Sequence, residues 1–193
     1  MAARLLCAKS SVKLRHLREH RLEPTEVERI YEAQSYIDNA LDMVIDDTPG
    51  QTLLSIRGSV RREAARHALS LVVVDYMQLM TLGYRSESRF VEVSAISRGL
   101  KDLARTIHCP VLACSQVNRE CEGQWGDGKP HLHHLRESGS IEQDADIVML
   151  LSWPKAEPGE EHYVIVAVEK NRHGPLGEVQ IIWTPAYTRF SDK

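Results

Sequence analysis

The hydrophobic positions of the chain follow two alternating patterns, which together predict an α/β fold. Helical spacing of three and four residues recurs in three segments. The first begins after Pro24, a residue suited to the first position of a helix, and its apolar face is formed by Val27, Ile30, Gln34, Ile37 and Leu41. The second face is Leu53, Ile56, Val60 and Ala64, and the third is Val93, Ile96, Leu100, Leu103 and Ile107. We therefore expect three amphipathic helices, each buried along one face.

Short runs rich in β-branched residues lie between these helices and predict the strands. Residues 71–75 and 110–114 are continuous apolar runs, the pattern of strands that are buried on both faces of a sheet. Further strands are predicted at residues 43–47, 147–151, 163–168 and 178–183, with residues 171–177 joining the last two as a hairpin. Residues 119–130 combine glycines with polar side chains and predict a mobile loop. Because no linker divides the sequence, we expect one domain over residues 1–193.

The charge balance offers no general argument for a nucleic-acid partner. Lys and Arg number 24 against 27 Asp and Glu, a net charge of −3, so such a partner would have to be held by local patches. Residues 1–21 contain six Lys and Arg residues against one Glu and predict a basic helix with a solvated face. The sequence contains no long apolar run and no signal-peptide core, so we expect a cytoplasmic chain that does not span a membrane.

Two polar residues follow the buried strands at positions where α/β sheets bind ligands. Asp75 ends the run 71–75, and Gln116 follows the run 110–114. Ligands gather at the carboxyl ends of parallel strands, where a carboxylate can hold Mg²⁺ beside a nucleotide phosphate and an amide can contact a terminal phosphate. Each residue also has a structural alternative. Asp75 can cap a helix, and Gln116 can hydrogen-bond to neighbouring backbone.

Two further segments carry chemistry that suits phosphates. Residues 135–146 combine a cation with small residues and a glycine ahead of a strand, which favours a loop whose backbone amides meet phosphates. An ordinary capped turn is the alternative. Residues 169–177 place Lys170 and Arg172 two positions apart at the tip of the predicted hairpin. These cations are either merely solvated or able to reach a phosphate that is bound elsewhere.

These four segments, in this order and spacing, resemble the C-terminal motor domain of DnaB-type replicative helicases, which are RecA-like ring helicases. Residues 73–80, V-V-D-Y-M-Q-L-M, are similar to the Walker B segment of that family, and residues 93–101 to the helix that follows it. Residues 110–119 resemble the strand that bears the family's glutamine. Residues 136–146 resemble its DNA-contacting loop, and residues 170–177 its cationic finger hairpin. The resemblance extends to both ends of the chain.

The resemblance implies roles for the residues that handle a nucleotide. It makes Asp75 the Walker B carboxylate that organises Mg²⁺, and Gln116 the sensor that links the γ-phosphate of ATP to the DNA loops. Lys170 and Arg172 would act in trans, reaching across a subunit interface to the neighbour's γ-phosphate as an arginine finger does. The implied fold is RecA-like, with three layers and a mainly parallel central sheet.

The resemblance also implies the partners. Arg136, Glu137 and Gly139 would lie along the backbone of single-stranded DNA in the channel of a hexameric ring, where binding rests on phosphate contacts. The activity implied is ATP-driven translocation on single-stranded DNA, with unwinding of the duplex during replication. The cofactors would be ATP and Mg²⁺, and the partners would be like subunits or full-length helicase subunits. The implied origin is bacterial, phage or plasmid, and the implied location is cytoplasmic.

One part of the family pattern has no counterpart in the sequence. No G-x-x-x-x-G-K-[ST] phosphate loop occurs, and the resemblance puts Met1 after that loop and after the family's catalytic glutamate. We therefore expect a RecA-like domain without its first P-loop strand and helix, and no ATP hydrolysis by the chain alone. It would be the rear part of a split or truncated helicase or a remnant with a binding role.

Two alternative functions stay open from the sequence. A RecA-type recombinase or a circadian-clock-like ATPase would share Asp75 and Gln116, but would not carry residues 136–146 in this form. A non-catalytic interaction protein that joins a full-length helicase ring would keep the same surface without hydrolysing ATP.

Overall fold

The computed structural model describes residues 1–117, 130–132, 134–135, 139–154 and 162–193. The chain forms two compact units. The first comprises Met1–Asp46, Leu151–Val166 and Glu178–Lys193, and the second comprises Asp47–Leu150 and Ala167–Gly177. Among the described residues, no helix is long and apolar enough to cross a membrane.

The described residues form both helices and strands, including a parallel strand pair, which confirms the predicted α/β class. The helices are α1 Ala2–Ser10, α2 Leu14–Arg18, α3 Pro24–Ala40, α4 Leu53–Ala64, α5 Arg89–Ile107 and α6 Gly139–Asp144. The strands are β1 Val72–Val74, β2 Val111–Ala113, β3 Ile147–Ser152, β4 Tyr163–Asn171, β5 Gly177–Thr184 and β6 Arg189–Asp192. Strands β1 and β2 form one sheet, and the other four form a second sheet in the order β3-β4-β5-β6.

The basic segment at the start of the chain is two helices rather than the single helix predicted over residues 1–21. Ser11 adopts the left-handed conformation with φ 52°, and this ends α1. Lys13 is extended, and α2 begins after it. The sequence could not predict this break, because a serine in the left-handed conformation changes neither the charge pattern nor the hydrophobic spacing.

Helix α3 begins at the predicted proline and is fixed by a reciprocal cap. The Glu26 side chain accepts a hydrogen bond from the Glu23 backbone N–H at 3.1 Å and contacts His16 Nδ1 at 3.0 Å. Glu26 is only 8% exposed, and its bond to the Glu23 N–H is the main reason that its pKa lies below the ordinary value. Of the predicted apolar face, Leu41 is exposed, and the helix buries Ala33 instead.

Residues 43–47 form no strand, contrary to the prediction. They are exposed, and no strand of the described chain pairs with them. A strand needs a neighbour to satisfy its backbone groups, so an apolar run without one stays irregular.

The core of the second unit is built on one face of the β1–β2 pair. The two strands are parallel, with Val73 opposite Leu112 and Val74 opposite Ala113. Val74 packs with buried α5 residues, among them Ile96 and Leu100. On the opposite face, Val73 is 54% and Leu112 is 40% exposed. The prediction that these strands are buried on both faces is therefore wrong, because the described helix α5 packs on the face of Val74 and the face of Val73 and Leu112 is exposed.

The last strands close the fold of the first unit. Strand β6 runs antiparallel to β5, with Trp183 opposite Phe190 and their rings 4.5 Å apart. Thr188 Oγ1 donates to the Arg4 carbonyl at 3.4 Å, and Arg189 donates to Ser11 Oγ at 3.0 Å. The two ends of the chain therefore meet in this unit.

Candidate functional site

Asp75 lies where the sequence places it, immediately after β1. It is exposed, and the peptide bond between Asp75 and Tyr76 is cis. Because side chains alternate along a strand, Asp75 shares the uncovered face of the strand with Val73. The carboxylate is therefore open to solvent at the carboxyl end of the parallel pair.

The segments that follow β1 and β2 remain joined beyond the sheet. The Cys114 N–H donates to the Val74 carbonyl at 2.9 Å, and the Met77 N–H donates to the Cys114 carbonyl at 3.0 Å. Burial raises the pKa of the Cys114 thiol, and the nearby Asp75 carboxylate raises it further. These bonds bring Asp75 and Gln116 to one edge of the sheet, as the sequence predicts.

Gln78 holds this edge together, although sequence reasoning gave it no role. Its Nε2 donates to Ser115 Oγ at 2.8 Å and to the Gln116 carbonyl at 3.4 Å. Its Oε1 accepts the Gln116 backbone N–H at 3.3 Å. The sequence signal that could have pointed to Gln78 is its polar amide among the apolar residues that follow Asp75. The Gln116 side chain itself is exposed and hydrogen-bonds to no described residue.

The hairpin between β4 and β5 carries the two predicted cations. Lys170 Nζ donates to the Glu142 carbonyl and lies 3.5 Å from the Gln143 carbonyl. Arg172 donates to the Gln143 carbonyl at 2.6 Å and to Asp146 Oδ1 at 3.3 Å. Cations suit the carbonyl end of a helix, and both side chains meet the last turn of α6. The alternative that they are merely solvated is therefore wrong.

The hairpin is closed by its own asparagine. Asn171 Nδ2 donates to the Pro175 carbonyl at 3.2 Å, and Asn171 Oδ1 accepts the His173 N–H at 3.2 Å. A Cβ atom at Gly174 would lie 2.6 Å from Asn171 Nδ2, so a larger residue here would push the asparagine out of its hydrogen bond to Pro175. These hydrogen bonds thus fix the position of Arg172, which directly follows β4.

Helix α6 is tied to α5 by polar contacts along one stripe of α5. Ser140 Oγ donates to Ser94 Oγ at 2.9 Å, and Ser97 Oγ donates to Asp144 Oδ2 at 2.9 Å. Lys101 then pairs with Asp146. The three α5 residues of this stripe lie three and four positions apart, so they occupy one helix face. Sequence reasoning gave these residues no role.

Several predicted site residues fall outside these contacts. Arg136 and Glu137, together with most of the loop predicted at residues 119–130, lie outside the described residues. Gly139 is the first residue of α6. Within the described chain, no hydrogen bond joins Asp75 or Gln116 to Lys170 or Arg172. The predicted residues therefore form two groups.

The first group, Asp75 and Gln116, has side chains that suit part of a nucleotide site. Asp75 offers an exposed carboxylate and Gln116 an exposed amide, and Mg²⁺ prefers such oxygen ligands. Phosphates are usually cradled by backbone N–H groups of a glycine-rich loop with a lysine, and the 193 residues contain no such loop. These residues therefore fit the metal and terminal-phosphate side of a site rather than the cradle.

The chain is thus an α/β domain that places an acid and an amide at the carboxyl ends of two adjacent parallel strands, the edge where domains of this class bind their ligands. The chain is a member of the DnaB-like helicase C-terminal domain family, whose family model matches residues 1–192. The predicted family and its RecA-like fold are thereby confirmed.

Curated relatives cover nearly the whole chain. It is 43% identical over 198 residues to the replicative DNA helicase DnaB of Leifsonia xyli, covering 100% of this chain and 42% of that protein. It is 45% identical over 194 residues to DnaB of Mycobacterium leprae, covering 98% and 32% respectively. The chain thus spans less than half the length of these relatives.

A solved structure agrees with the family. A DnaB-like replicative helicase, solved in a study of its interactions with primase, superposes with a TM-score of 0.90 at 30% identity. The superposition covers 99% of this chain and 48% of that one. The described architecture is therefore that found in a DnaB-like helicase.

Proposed function

We propose that the chain is part of the motor of a ring-shaped replicative helicase, which uses ATP and Mg²⁺ to move along single-stranded DNA and unwind duplex. Membership of the DnaB family supports this function. The observation that carries it is the ordered hairpin, in which Lys170 and Arg172 are held at defined positions by the carbonyls of α6 and by Asp146. The same proposal implies a hexameric ring, a cytoplasmic location and a bacterial, phage or plasmid origin. The curated relatives are bacterial.

The edge formed by Asp75 and Gln116 would serve the nucleotide of its own subunit. Bound Mg²⁺-ATP supplies the phosphoanhydride bond whose hydrolysis drives the motor. Asp75 would hold a water of the metal shell, and the exposure of its carboxylate at the strand end supports this role. Gln116 would donate its side-chain amide to a terminal phosphate, and its exposed side chain and the hydrogen bonds between its backbone and Gln78 support this role. The phosphate cradle has to come from residues beyond these 193.

Lys170 and Arg172 would serve the nucleotide of a neighbouring subunit. An arginine finger works by placing a guanidinium against the charge that develops on the transferred phosphoryl group. Arg172 meets the requirement of order, because its backbone and side chain are both held. Its side chain is still 42% exposed and is therefore accessible to a partner.

The DNA strand would follow the segment ahead of α6. Arg136, Glu137 and Gly139 are the residues proposed to lie along its backbone, on the strength of the family resemblance. Phosphate contacts repeated around a ring need no globally basic chain, and the net charge of −3 fits such local binding.

A complementation assay tests the proposal. A DnaB-type full-length subunit from which the finger arginine has been removed is mixed with this chain, and ATP turnover is measured. We expect the chain alone to show no turnover above background, the mixture to regain turnover, and Arg172→Ala to abolish the gain. Arg105→Ala, an exposed arginine of α5 that lies outside both groups, is the matched control and should leave it unchanged. Turnover by the chain alone, or rescue by Arg172→Ala, would contradict the proposal.

A non-catalytic interaction subunit is the second candidate. The uncovered apolar face with Val73 and Leu112 favours it, because exposed apolar sheet surface promotes association. The same mixing experiment separates the two functions. Stable incorporation of the chain into rings without any recovery of turnover would indicate the interaction role.

A further inference from the structure

Asp146 lies where three elements meet. Its Oδ1 accepts a hydrogen bond from the Arg172 guanidinium at 3.3 Å, and its Oδ2 pairs with Lys101 of α5. Its backbone carbonyl also accepts the Arg172 N–H at 2.9 Å. One residue thus holds Arg172 by both main chain and side chain, while its second carboxylate oxygen is anchored to a helix.

The environment keeps this carboxylate charged. The Lys101 ammonium is the main cause of a pKa below the ordinary aspartate value, and Arg172 and His173 lower it further. Lys101 is largely buried, with 18% of its side chain exposed, so it is the fixed partner of the pair. A charge-assisted hydrogen bond from a fixed cation orients the carboxylate toward Arg172.

The same cations also define the end of α6. Arg172 donates to the Gln143 carbonyl at 2.6 Å, and Lys170 donates to the Glu142 carbonyl. These carbonyls belong to the last turn of α6, where the backbone leaves acceptors without helical partners. The other end of α6 is Gly139, one of the residues proposed to meet DNA.

We propose that Asp146 is a positioning residue, which sets Arg172 and the carboxyl end of α6 in one arrangement by bridging Lys101 and the hairpin. Its role in the motor rests on the proposed function, because it assigns Arg172 to the neighbour's phosphate. Arg172 uses Nη1 for Asp146 and Nη2 for the Gln143 carbonyl, and its side chain is still 42% exposed, so the neighbour's phosphate can meet the guanidinium while both bonds hold it in position.

The structural half is tested on the 193-residue chain without nucleotide or DNA. Nitrogen-15 NMR follows the Nε–Hε group of Arg172 and the amide exchange of residues in α6. In Asp146→Asn we expect exchange at both places to rise by about three- to tenfold, the range set by losing one half-exposed charge-assisted bond. Asp146→Glu keeps the charge and should restore slow exchange in part.

The matched control is Asp102→Asn. Asp102 is an acid of α5 with an exposed carboxylate. It pairs with Arg57 rather than with the hairpin. It should leave Arg172 and α6 as in the parent chain. Unchanged exchange at Arg172 and α6 in Asp146→Asn would overturn the inference. If that variant does not fold, Lys101→Met replaces it, and unchanged α6 exchange there would overturn the inference equally.

The functional half uses the complementation assay. We expect Asp146→Asn to lower kcat at the mixed interface by about tenfold with little change in KM, because the finger is less often in position. Asp146→Glu should recover part of kcat. Parent-like kcat in Asp146→Asn would overturn the positioning role, whereas no rescue by the parent chain would contradict the proposed function and leave the NMR result to stand on its own.

Discussion

Gln78 and Gln116 are joined in both directions, since the Gln78 side chain accepts the Gln116 N–H at 3.3 Å and donates to the Gln116 carbonyl at 3.4 Å. The Gln78 side chain thus makes the two backbone hydrogen bonds that a neighbouring strand would otherwise make with Gln116. It holds the segment after β2 against the segment after β1, where backbone pairing has ended.

Removing this amide should loosen the edge. We expect Gln78→Leu to lower the free energy of unfolding by about 1–2 kcal/mol, because the Gln116 N–H and Ser115 hydroxyl lose a partner. Urea unfolding followed by circular dichroism measures the change. Gln116→Ala is the control. Its side chain is exposed and unbonded to described residues, so its stability should stay within about 0.5 kcal/mol of the parent.

Two glycines give opposite expectations for the same substitution. A Cβ at Gly99 of α5 would clash with the Leu53 side chain of α4, so Gly99→Ala should destabilise by about 1–3 kcal/mol through overpacking. A Cβ at Gly58 of α4 meets only Arg62 at 3.5 Å. Gly58→Ala should therefore stabilise by about 0.5–1 kcal/mol through helix propensity. Thermal unfolding of both variants checks the pair, and equal effects would contradict the α4–α5 packing.

Glu26 should make the stability of the chain depend on acid pH. Its pKa in the folded state lies below the ordinary value of about 4.3, so the carboxylate stabilises the fold above that value. This contribution is lost as the pH falls through the lower, folded-state pKa. Glu26→Gln should make the midpoint of urea unfolding less dependent on pH over this acid range. Glu28→Gln, at an exposed position of the same helix, should keep the parental slope.

The uncovered face of β1–β2 should drive self-association. Val73→Thr keeps the preference for a strand while adding a hydroxyl to the exposed face, so we expect less association in sedimentation velocity at unchanged stability. Val93→Thr changes a side chain that is 5% exposed in the core and should instead lower stability. A parent chain that stays monomeric at high concentration would argue against this expectation.

DNA binding provides the last prediction. In a complete ring that carries this sequence, Arg136→Ala should weaken binding to single-stranded DNA equally for all base sequences. The slope of log K against log salt should become shallower by about 0.7 for each subunit that meets the strand, because each of these subunits loses one phosphate contact. Titrations of two unrelated oligonucleotides at several salt concentrations measure both quantities. An unchanged slope would remove Arg136 from the phosphate path.

The sequence predicted the elements whose burial repeats at regular spacing. The buried face of α5 and the positions of β1, β2 and the hairpin follow the prediction, whereas the predicted face of α4 is only half-buried at Leu53 and Ile56. It failed where a partner decides the outcome, as in residues 43–47, whose apolar run remains irregular without a neighbouring strand. It could not find the contact between Ser94 and Ser140, because a pair of small polar side chains 46 positions apart leaves no periodic signal.

Helix α5 is held on two adjacent sides. Val93, Ile96 and Leu100 bury one side in the core beneath β1, while Ser94, Ser97 and Lys101 bind α6 and Asp146 from the next. A rod gripped in this way has lost the freedom to spin about its long axis, because any rotation would break one of the two sets of contacts. The orientation of α5 about its own axis is therefore set jointly by the core of the second unit and by α6.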